Sequence, residues 1–356
     1  VLDFLDTLGL AEEMLDTLPH AVVSTFDWHT PGRHYTLADY RWASRRHPYY
    51  ALIPQAWFLP FLAEKAAAYP GFDLRMRSRA CRLLHDSHGR VQGVAYARGN
   101  GERQLRARLV VGADGRNSKM RVLGGFRSRE LGAGLDVLWH AVPKQPDDPL
   151  LSGLQLHSTA GALLAVLDQD THWQLGYLIP ARSYQQVRAG GTAPITRAFA
   201  ERMPWLGDRL DTLTDINQMT LLPVRITSVD HWYRPGLLLL GDAAHVISPV
   251  GGNGINLAIA DAALAANLLL PNLTGSPESV DAACARIERV RRPLTDKEQH
   301  RQQRAERSAC DRLRHGRVGP PMVLRALTRI PGLAAIAGRQ NSALIRIPRP
   351  SEQILG

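Results

Sequence analysis

The chain has 356 residues, 45% of them hydrophobic, with a formal net charge of +10 and three cysteines. That length suits two domains or one large α/β unit with an insertion. The cysteines lack metal-like spacing, which argues against a zinc site or a disulfide scaffold and fits a reducing, cytoplasmic location. The basic excess lacks the motifs of nucleic-acid binding, so we expect no nucleic-acid partner and read the charge as a solvated surface or an attraction for a pyridine nucleotide.

Helical periodicity opens the chain, and β-prone segments follow it. Residues 1–18 and 55–68 are predicted as helices, and Thr30-Pro31-Gly32 predicts a hairpin turn between them. Four β-prone runs then predict a meander over 72–76, 80–85, 91–97 and 104–111.

The second half begins with another strand-rich segment. Residues 135–180 are predicted as an antiparallel sheet able to roof a pocket, and 218–226 as a strand returning to the first domain. The long basic helical region 276–315 is interpreted as a solvated face, and 322–337 as a last helical pair. We expect no transmembrane segment, because the apolar run 257–270 is short and carries Asp261.

The first motif lies where the predicted meander ends. An apolar strand runs into Gly112, Asp114 and Gly115, and Ser118 or Asn117 can cap the helix that follows. An acidic group at this position suits ribose hydroxyls or contacts around a pyrophosphate. The alternative is that Asp114 only caps the turn.

The second motif repeats this logic. The apolar run 237–240 predicts a buried parallel strand that ends at Gly241 and Asp242. A glycine-rich loop follows, and an apolar helix begins near Asn256. In open α/β sheets ligands bind at the carboxyl ends of the strands, and a helix amino terminus attracts negative charge.

The two motifs, in this order and with a sheet between them, resemble the DG and GD motifs of class A flavoprotein monooxygenases, the para-hydroxybenzoate hydroxylase-like aromatic hydroxylases. The resemblance implies an α/β fold, in which a Rossmann-like FAD-binding domain carries an inserted antiparallel or mixed substrate sheet and C-terminal helices. We expect the FAD-binding domain over 1–19, 51–126 and 218–275, the substrate domain over 20–50 and 127–217, and the helical region over 276–356.

The resemblance also implies site residues. The catalytic positions would be Pro249, Gly251 and Gly252, whose backbone would lie beside the substrate and the isoalloxazine ring. Asp242 would bind the ribityl chain of FAD, and the helix start at Asn256 would face flavin N1 and O2. The full cofactor-binding set would be Gln55, Asp114, Gly115, Arg121, Gly241, Asp242, Gly252, Asn253, Gly254, Ile255 and Asn256. His245 is expected to be structural, and no metal ligand is expected.

For such an enzyme the resemblance implies that NADH or NADPH reduces FAD and that O₂ then gives a C4a-hydroperoxyflavin. One oxygen atom passes to a small organic substrate, aromatic or polyketide-like. The pocket is expected between the Pro249 loop and the 135–179 sheet, with Trp139, His157 and Tyr177 as candidate lining residues. A homodimer is one option for the assembly.

The sequence departs from the family pattern at its start. The chain contains no GxGxxG motif, and residues 1–18 resemble the helix that normally follows the first βαβ unit. We therefore expect a βαβ unit of about fifty residues to be missing, with an exposed sheet edge. Two alternatives stay open: a flavin reductase or halogenase of the same fold, and a truncated, non-catalytic protein that binds a partner. A GxGxxG motif encoded in frame upstream would favour the enzyme.

Overall fold

The computed structural model describes residues 1–132, 134–151, 154–169, 171–249, 252–343 and 347–351. Its helices are α1 (Leu2–Thr7), α2 (Ala11–Thr17), α3 (Gln55–Ala67), α4 (Lys119–Leu123), α5 (Tyr184–Ala189), α6 (Ala193–Arg202), α7 (Gly254–Leu269), α8 (Pro277–Arg314), α9 (Met322–Leu327) and α10 (Leu333–Ala343).

The strands of this part of the chain form five sheets. They are β1 (Ala21–Val23), β2 (Thr25–Thr30), β3 (Arg33–Asp39), β4 (Tyr50–Leu52), β5 (Arg79–His85), β6 (Val91–Arg98), β7 (Gly101–Arg106), β8 (Val110–Gly112), β9 (Ser128–Glu130), β10 (Leu135–Pro143), β11 (Leu154–Ser158), β12 (Leu163–Asp168), β13 (His172–Pro180), β14 (Thr220–Leu222), β15 (Thr227–Val229), β16 (Tyr233–Arg234), β17 (Leu237–Leu239) and β18 (His245–Val246).

The largest sheet has seven strands in the order β14-β10-β13-β12-β11-β2-β3. Its strands pair antiparallel except β11 with β2, which are parallel. One face packs against α6, where Leu138 and Leu164 meet Phe199. The other face, which carries Val137, packs with Cys310 of α8. Because apolar side chains are buried on both faces, the strands read as apolar runs rather than as alternating patterns.

A smaller sheet, β16-β17-β8, contains the strands of both motifs. β17 and β8 are parallel neighbours, with Leu237 opposite Val110 and Leu239 opposite Gly112. Both motifs therefore leave the same edge of the sheet. The strands approach α4 closely, because a Cβ at Gly112 would lie 2.7 Å from Cβ of Met120. Among the described residues, β8 is the last strand on its side of this sheet.

The long helix α8 has both exposed and buried polar residues. Its Arg, Lys and His residues were expected on a solvated face, and among them only Arg291 is buried. A row at helical spacing is buried nevertheless: Arg291, Thr295, Glu298, Gln299, Gln302 and Glu306. Gln299, Gln302 and Glu306 bond to loop backbone. Gln299 donates to the carbonyls of Thr227 and Val246, and Glu306 accepts from the Gly134 N–H at 3.0 Å. Buried polar groups are tolerated when they are bonded in this way.

Three further elements differ from the predictions. The predicted helix 1–18 is divided into α1 and α2 at Gly9, whose φ of +69° suits glycine. Residues 72–76 form no strand, and Phe72, Leu74 and Met76 are exposed. The segment 218–226 contributes β14 to the seven-stranded sheet instead of returning to the first domain. The division into domains otherwise stays a proposal.

The helix α7 and its following turn, Gly254–Asn272, are long and apolar enough to cross a membrane by length and composition alone. Buried core helices share this length and composition. In the structure α7 packs with α8 and β17, where Ala265 and Leu269 contact Leu238 and Ile287 in one buried cluster.

A buried ion pair fixes one end of the seven-stranded sheet. Arg209 forms a bidentate pair with Asp148, with N–O distances of 2.7 and 2.8 Å, and the Trp173 indole donates to the same carboxylate at 2.7 Å. The side chain of Asp148 is only 5% exposed. The hydrogen bonds from Arg209 outweigh the cost of burial and lower the pKa of Asp148 to about 2.

We expect Asp148→Asn to lower the free energy of unfolding by about 2–3 kcal/mol at pH 7. Because the folded-state pKa is depressed, this contribution is complete above the unfolded pKa of about 4 and is lost as the pH falls towards about 2. Urea unfolding measured from pH 7 to pH 3 should therefore show that the difference in free energy of unfolding between the wild type and the variant shrinks as the pH falls. Asp73→Asn, at an exposed pair with Arg75, is the control and should cost less than about 1 kcal/mol at any pH.

Candidate functional site

The carboxylate of Asp242 lies at the common edge where β17 and β8 end. It follows β17 in a short 3-10 turn, Gly241–Ala243, and its side chain is 29% exposed. Arg116 Nε is 3.9 Å away, and no donor within the described part of the chain hydrogen-bonds to the carboxylate. Burial raises the pKa of Asp242, against the attraction of Arg116. The group is therefore an open acceptor at the edge of the sheet.

Asp114, by contrast, is already engaged. One oxygen accepts from the Ser118 hydroxyl at 2.5 Å, and the other accepts from the N–H groups of Lys119 and Met120 at 2.6 and 3.0 Å. These bonds fix the start of α4. The structure thus shows the capping role for Asp114, and a nucleotide contact stays a prediction. Gly115 follows with a φ of +79°.

Arg121 joins the two motifs. Its guanidinium donates to the carbonyls of Arg116 at 2.7 Å, Ala243 at 3.0 Å and Asp242 at 3.3 Å. Burial lowers its pKa, against the attraction of Asp114 and Asp242. Its expected role in cofactor binding stays a prediction, and its observed contacts brace one motif loop against the other.

Behind the second motif lies a fully buried network centred on Asp261 of α7. One oxygen accepts from His245 Nε2 at 2.6 Å and from the Gly241 N–H at 3.1 Å, and the other accepts from Arg291 Nε at 2.6 Å. Burial opposes the charge on Asp261, yet His245 and Arg291 hold its pKa below the usual value. The His245 ring also packs on Trp232, with centroids 4.6 Å apart. His245 is thus a structural residue, as expected.

The glycine-rich loop is held by Tyr50 of β4. The Tyr50 hydroxyl donates to Asn253 Oδ1 at 3.0 Å and accepts from Asn256 Nδ2 at 2.6 Å. Pro249 is half-buried, and its carbonyl accepts from the Gly252 N–H at 3.0 Å. Gly251, the remaining expected catalytic position, lies outside the described residues.

The first residues of α7, directly after this loop, have free backbone N–H groups. The N–H groups of Gly254, Ile255 and Asn256 have no acceptor among the described residues, and Asn253 provides no side-chain cap. Free N–H groups at a helix start favour a negatively charged or electron-rich group. The Asn256 side chain itself is bonded to Tyr50, so the backbone supplies the open donors.

The other expected residues are dispersed. Gln55 is the exposed first residue of α3. Trp139 pairs with Gly176, whereas Tyr177 and His157 lie on the opposite face of the sheet, since both are in register with Leu164. The three candidate lining residues therefore cannot line one pocket.

His157 belongs to the α6 side of the sheet. It stacks on His29 at 4.6 Å, and burial, with His29 and Arg202 nearby, lowers its pKa to about 3. Its imidazole is consequently neutral at ordinary pH.

We expect Tyr50→Phe to lower the free energy of unfolding by about 1–2 kcal/mol, because it removes the shared partner of two amide side chains in the loop. Burial raises the pKa of Tyr50, so the loss should not change between pH 6 and pH 9. Urea unfolding would measure it, with Tyr69→Phe at an exposed tyrosine as the control. An equal loss in both variants would contradict a bridging role for Tyr50.

Sequence reasoning missed Tyr50, Asp261 and Arg291. A signal existed for Asp261, because it is the single charged residue within the apolar helix Gly254–Leu269 and such a group must find a partner when buried. Arg291 is one of many basic residues in α8, so nothing in the sequence marks it. Tyr50 sits in a polar, irregular stretch without a motif.

Comparisons with known proteins place these features in context. Residues 1–298 match the model of a family described as "FAD binding domain". The chain is 33% identical over 272 residues to 6-methylpretetramide 4-monooxygenase of Streptomyces rimosus, covering 75% of this chain and 63% of that protein. The chain spans between 45 and 65% of the length of three curated relatives that it matches.

Solved structures share the fold. Pseudomonas aeruginosa PqsL, in complex with 2-aminobenzoylacetate, superposes with a TM-score of 0.68 at 22% identity, covering 88% of this chain and 85% of that one. The anhydrotetracycline hydroxylase OxyS of Streptomyces rimosus superposes with a TM-score of 0.66 at 20% identity, covering 99% and 67%.

Proposed function

Because the chain belongs to the FAD binding domain family over residues 1–298, we propose that it acts in a FAD-dependent monooxygenase that hydroxylates an aromatic or polyketide-derived compound. NADH or NADPH would be the reductant and O₂ the source of the oxygen atom. The names of relatives support the reaction class, since they include 6-methylpretetramide 4-monooxygenase and protoasukamycin 4-monooxygenase.

The observation that carries this proposal is the open carboxylate of Asp242 beside the uncapped start of α7. A partly buried carboxylate without a hydrogen-bond donor suits the hydroxyl groups of a ribityl chain. The free N–H groups at Gly254, Ile255 and Asn256 suit an electron-rich ring edge. The donor set therefore fits the flavin half of FAD.

When bound, the flavin would accept electrons from the nicotinamide and deliver oxygen to the substrate. This chain would bind and orient it. Asp242 would hold the ribityl hydroxyls, and the dipole of α7 would stabilise negative charge on the reduced ring. Arg121 would keep the two motif loops at a fixed separation, and Asp261 would anchor the second motif to α8, which preserves the alignment that the reaction requires.

The sheet face that carries Trp139 is the better candidate for the substrate. It packs towards α8, whose Glu306 reaches Gly134 beside the second-motif loop. Gly176 leaves room for the Trp139 ring, because a Cβ there would lie 2.6 Å from Trp139 Cζ3. An apolar face with flat aromatic side chains suits a planar substrate. A cytoplasmic location and a homodimer remain part of the proposal.

The test is a fluorescence titration of FAD against the protein, with Asp242→Ala as the variant. We expect saturable FAD binding, and the loaded protein should oxidise NADH or NADPH when aromatic compounds are supplied. A folded protein that gains no flavin would contradict the proposal.

A further inference from the structure

The helix α9 turns its apolar side towards solvent. Its exposed residues recur at the spacing of one helical face, and the stripe continues into the following turn; we name it the α9 stripe: Met322, Val323, Ala326, Leu327 and Ile330. Met322 is 82% exposed and Val323 is 72% exposed. Single exposed apolar residues are ordinary on protein surfaces, but a continuous helical stripe marks an interaction site.

The orientation of α9 is fixed by the residues on its inner side. The Arg325 guanidinium donates to the carbonyls of Pro320 and Val318 and lies 5.8 Å from the centroid of the Tyr35 ring. The Arg325 carbonyl accepts from the Thr328 hydroxyl at 2.9 Å. Because the polar residues of α9 are engaged inwards, the apolar stripe cannot rotate into the core without breaking these bonds.

The segment that carries the stripe is basic. Residues 312–351 contain eight arginines and no aspartate or glutamate. Arg329 and Arg339 are exposed, and Arg317, which pairs with Asp311 at 3.6 Å, has 60% of its side chain exposed. The stripe is thus an apolar strip on a strongly basic part of the surface.

We propose that the α9 stripe docks on an anionic lipid surface. A short amphipathic segment with apolar residues on one side and arginines around it binds in the plane of a membrane interface, and each basic residue near anionic headgroups strengthens binding. A second copy of the chain fits poorly, because two such surfaces would bring the exposed Arg329 and Arg339 of each copy together, and residues 312–351 contain no aspartate or glutamate to pair with them. This inference is independent of the proposed flavin chemistry.

Neighbouring residues extend the same surface. Arg339 of α10 donates to the Trp42 carbonyl at 3.0 Å, and Trp42 is 58% exposed. Gly338 allows this contact between α10 and the chain before Trp42, since a Cβ there would lie 2.0 Å from the Asp39 carbonyl oxygen. Exposed tryptophan suits the headgroup region of a bilayer. Ile336 of the same helix is also exposed.

The test is co-sedimentation of the full chain with vesicles of phosphatidylcholine alone or with about one third phosphatidylglycerol. We expect binding to the anionic vesicles only, and its loss in about 0.5 M salt. Met322→Glu/Val323→Glu should weaken binding by about tenfold or more, and Arg329→Glu should weaken it by about fivefold or more. Leu150→Glu, at a fully exposed leucine far from α9 in sequence, is the matched control and should bind as the wild type does.

Three results would overturn the proposal. The wild type would not bind anionic vesicles, the double variant would bind them as tightly as the wild type, or Leu150→Glu would lose as much vesicle binding as the double variant. A concentration-dependent dimer that the double variant abolishes would assign the stripe to a second copy instead. Circular dichroism and urea unfolding of each variant would confirm that the fold is intact. Arg329→Glu leaves the apolar residues in place and therefore tests the charge contribution separately.

Discussion

Replacing Asp261 by asparagine is expected to lower the free energy of unfolding by about 3–5 kcal/mol, the largest effect of any single change considered. The substitution keeps the shape of the side chain but removes its charge. Arg291, which is 1% exposed, then remains buried without a counter-charge. The backbone N–H of Gly241 would also face a weaker acceptor.

Urea unfolding, followed by tryptophan fluorescence and circular dichroism, would measure this loss. Asp311→Asn is the matched control, because Asp311 pairs with His315 and Arg317 at the exposed end of α8 and should contribute less than about 1 kcal/mol. Replacing Asp261 and Arg291 together by Leu and Met should recover part of the loss, since no unpaired charge remains. A double variant as unstable as Asp261→Asn would show that the pairing of charges is not the cause.

Replacing Asp242 by alanine is expected to weaken FAD binding by about 10- to 100-fold, which corresponds to about 1.5–3 kcal/mol for hydrogen bonds to a charged group. The free energy of unfolding should stay nearly unchanged, because no described residue hydrogen-bonds to this carboxylate. Burial raises the pKa of Asp242, so removal of its charge should not lower the stability of the free protein.

The measurement is a fluorescence titration of FAD with the wild type and each variant. Asp242→Asn keeps one acceptor oxygen and replaces the other by an amide donor, and it should bind with an intermediate affinity. Asp73→Ala, at an exposed carboxylate, should leave the affinity unchanged. Unaltered flavin occupancy in Asp242→Ala would mean that the ribityl contact lies elsewhere.

The sequence predicted the motif strands because both end in glycine and aspartate after an apolar run. β17 and β8 lie side by side and parallel, which puts Asp242 and Asp114 at one edge as expected. The hairpin at Thr30-Pro31-Gly32 is also confirmed, since its turn joins β2 and β3. The fold class and the family expected from the motifs are confirmed by the family match and by structural neighbours.

The sequence could not predict which polar residues are buried. In α8, the sequence gives no sign that Gln299 and Gln302 are buried. Only the fold shows that loop carbonyl and N–H groups lie against them and take them as hydrogen-bond partners. A β-prone segment likewise needs a partner. Phe72, Leu74 and Met76 alternate as a strand does, but no described strand pairs with them. Local pattern sets a preference, whereas long-range contacts determine the outcome.

The polar row of α8 has a consequence for the order in which the protein matures. Asp261 and the loop before it emerge from the ribosome earlier than Arg291 and Gln302, which hold them in place. Contacts of such long sequence separation form late, because the intervening chain must be ordered first. We therefore expect the second-motif loop to acquire its final shape only after α8 has been synthesised and docked. Cofactor loading would then be a late step of biogenesis, and premature termination within α8 would release a chain whose earlier motifs are complete but unassembled.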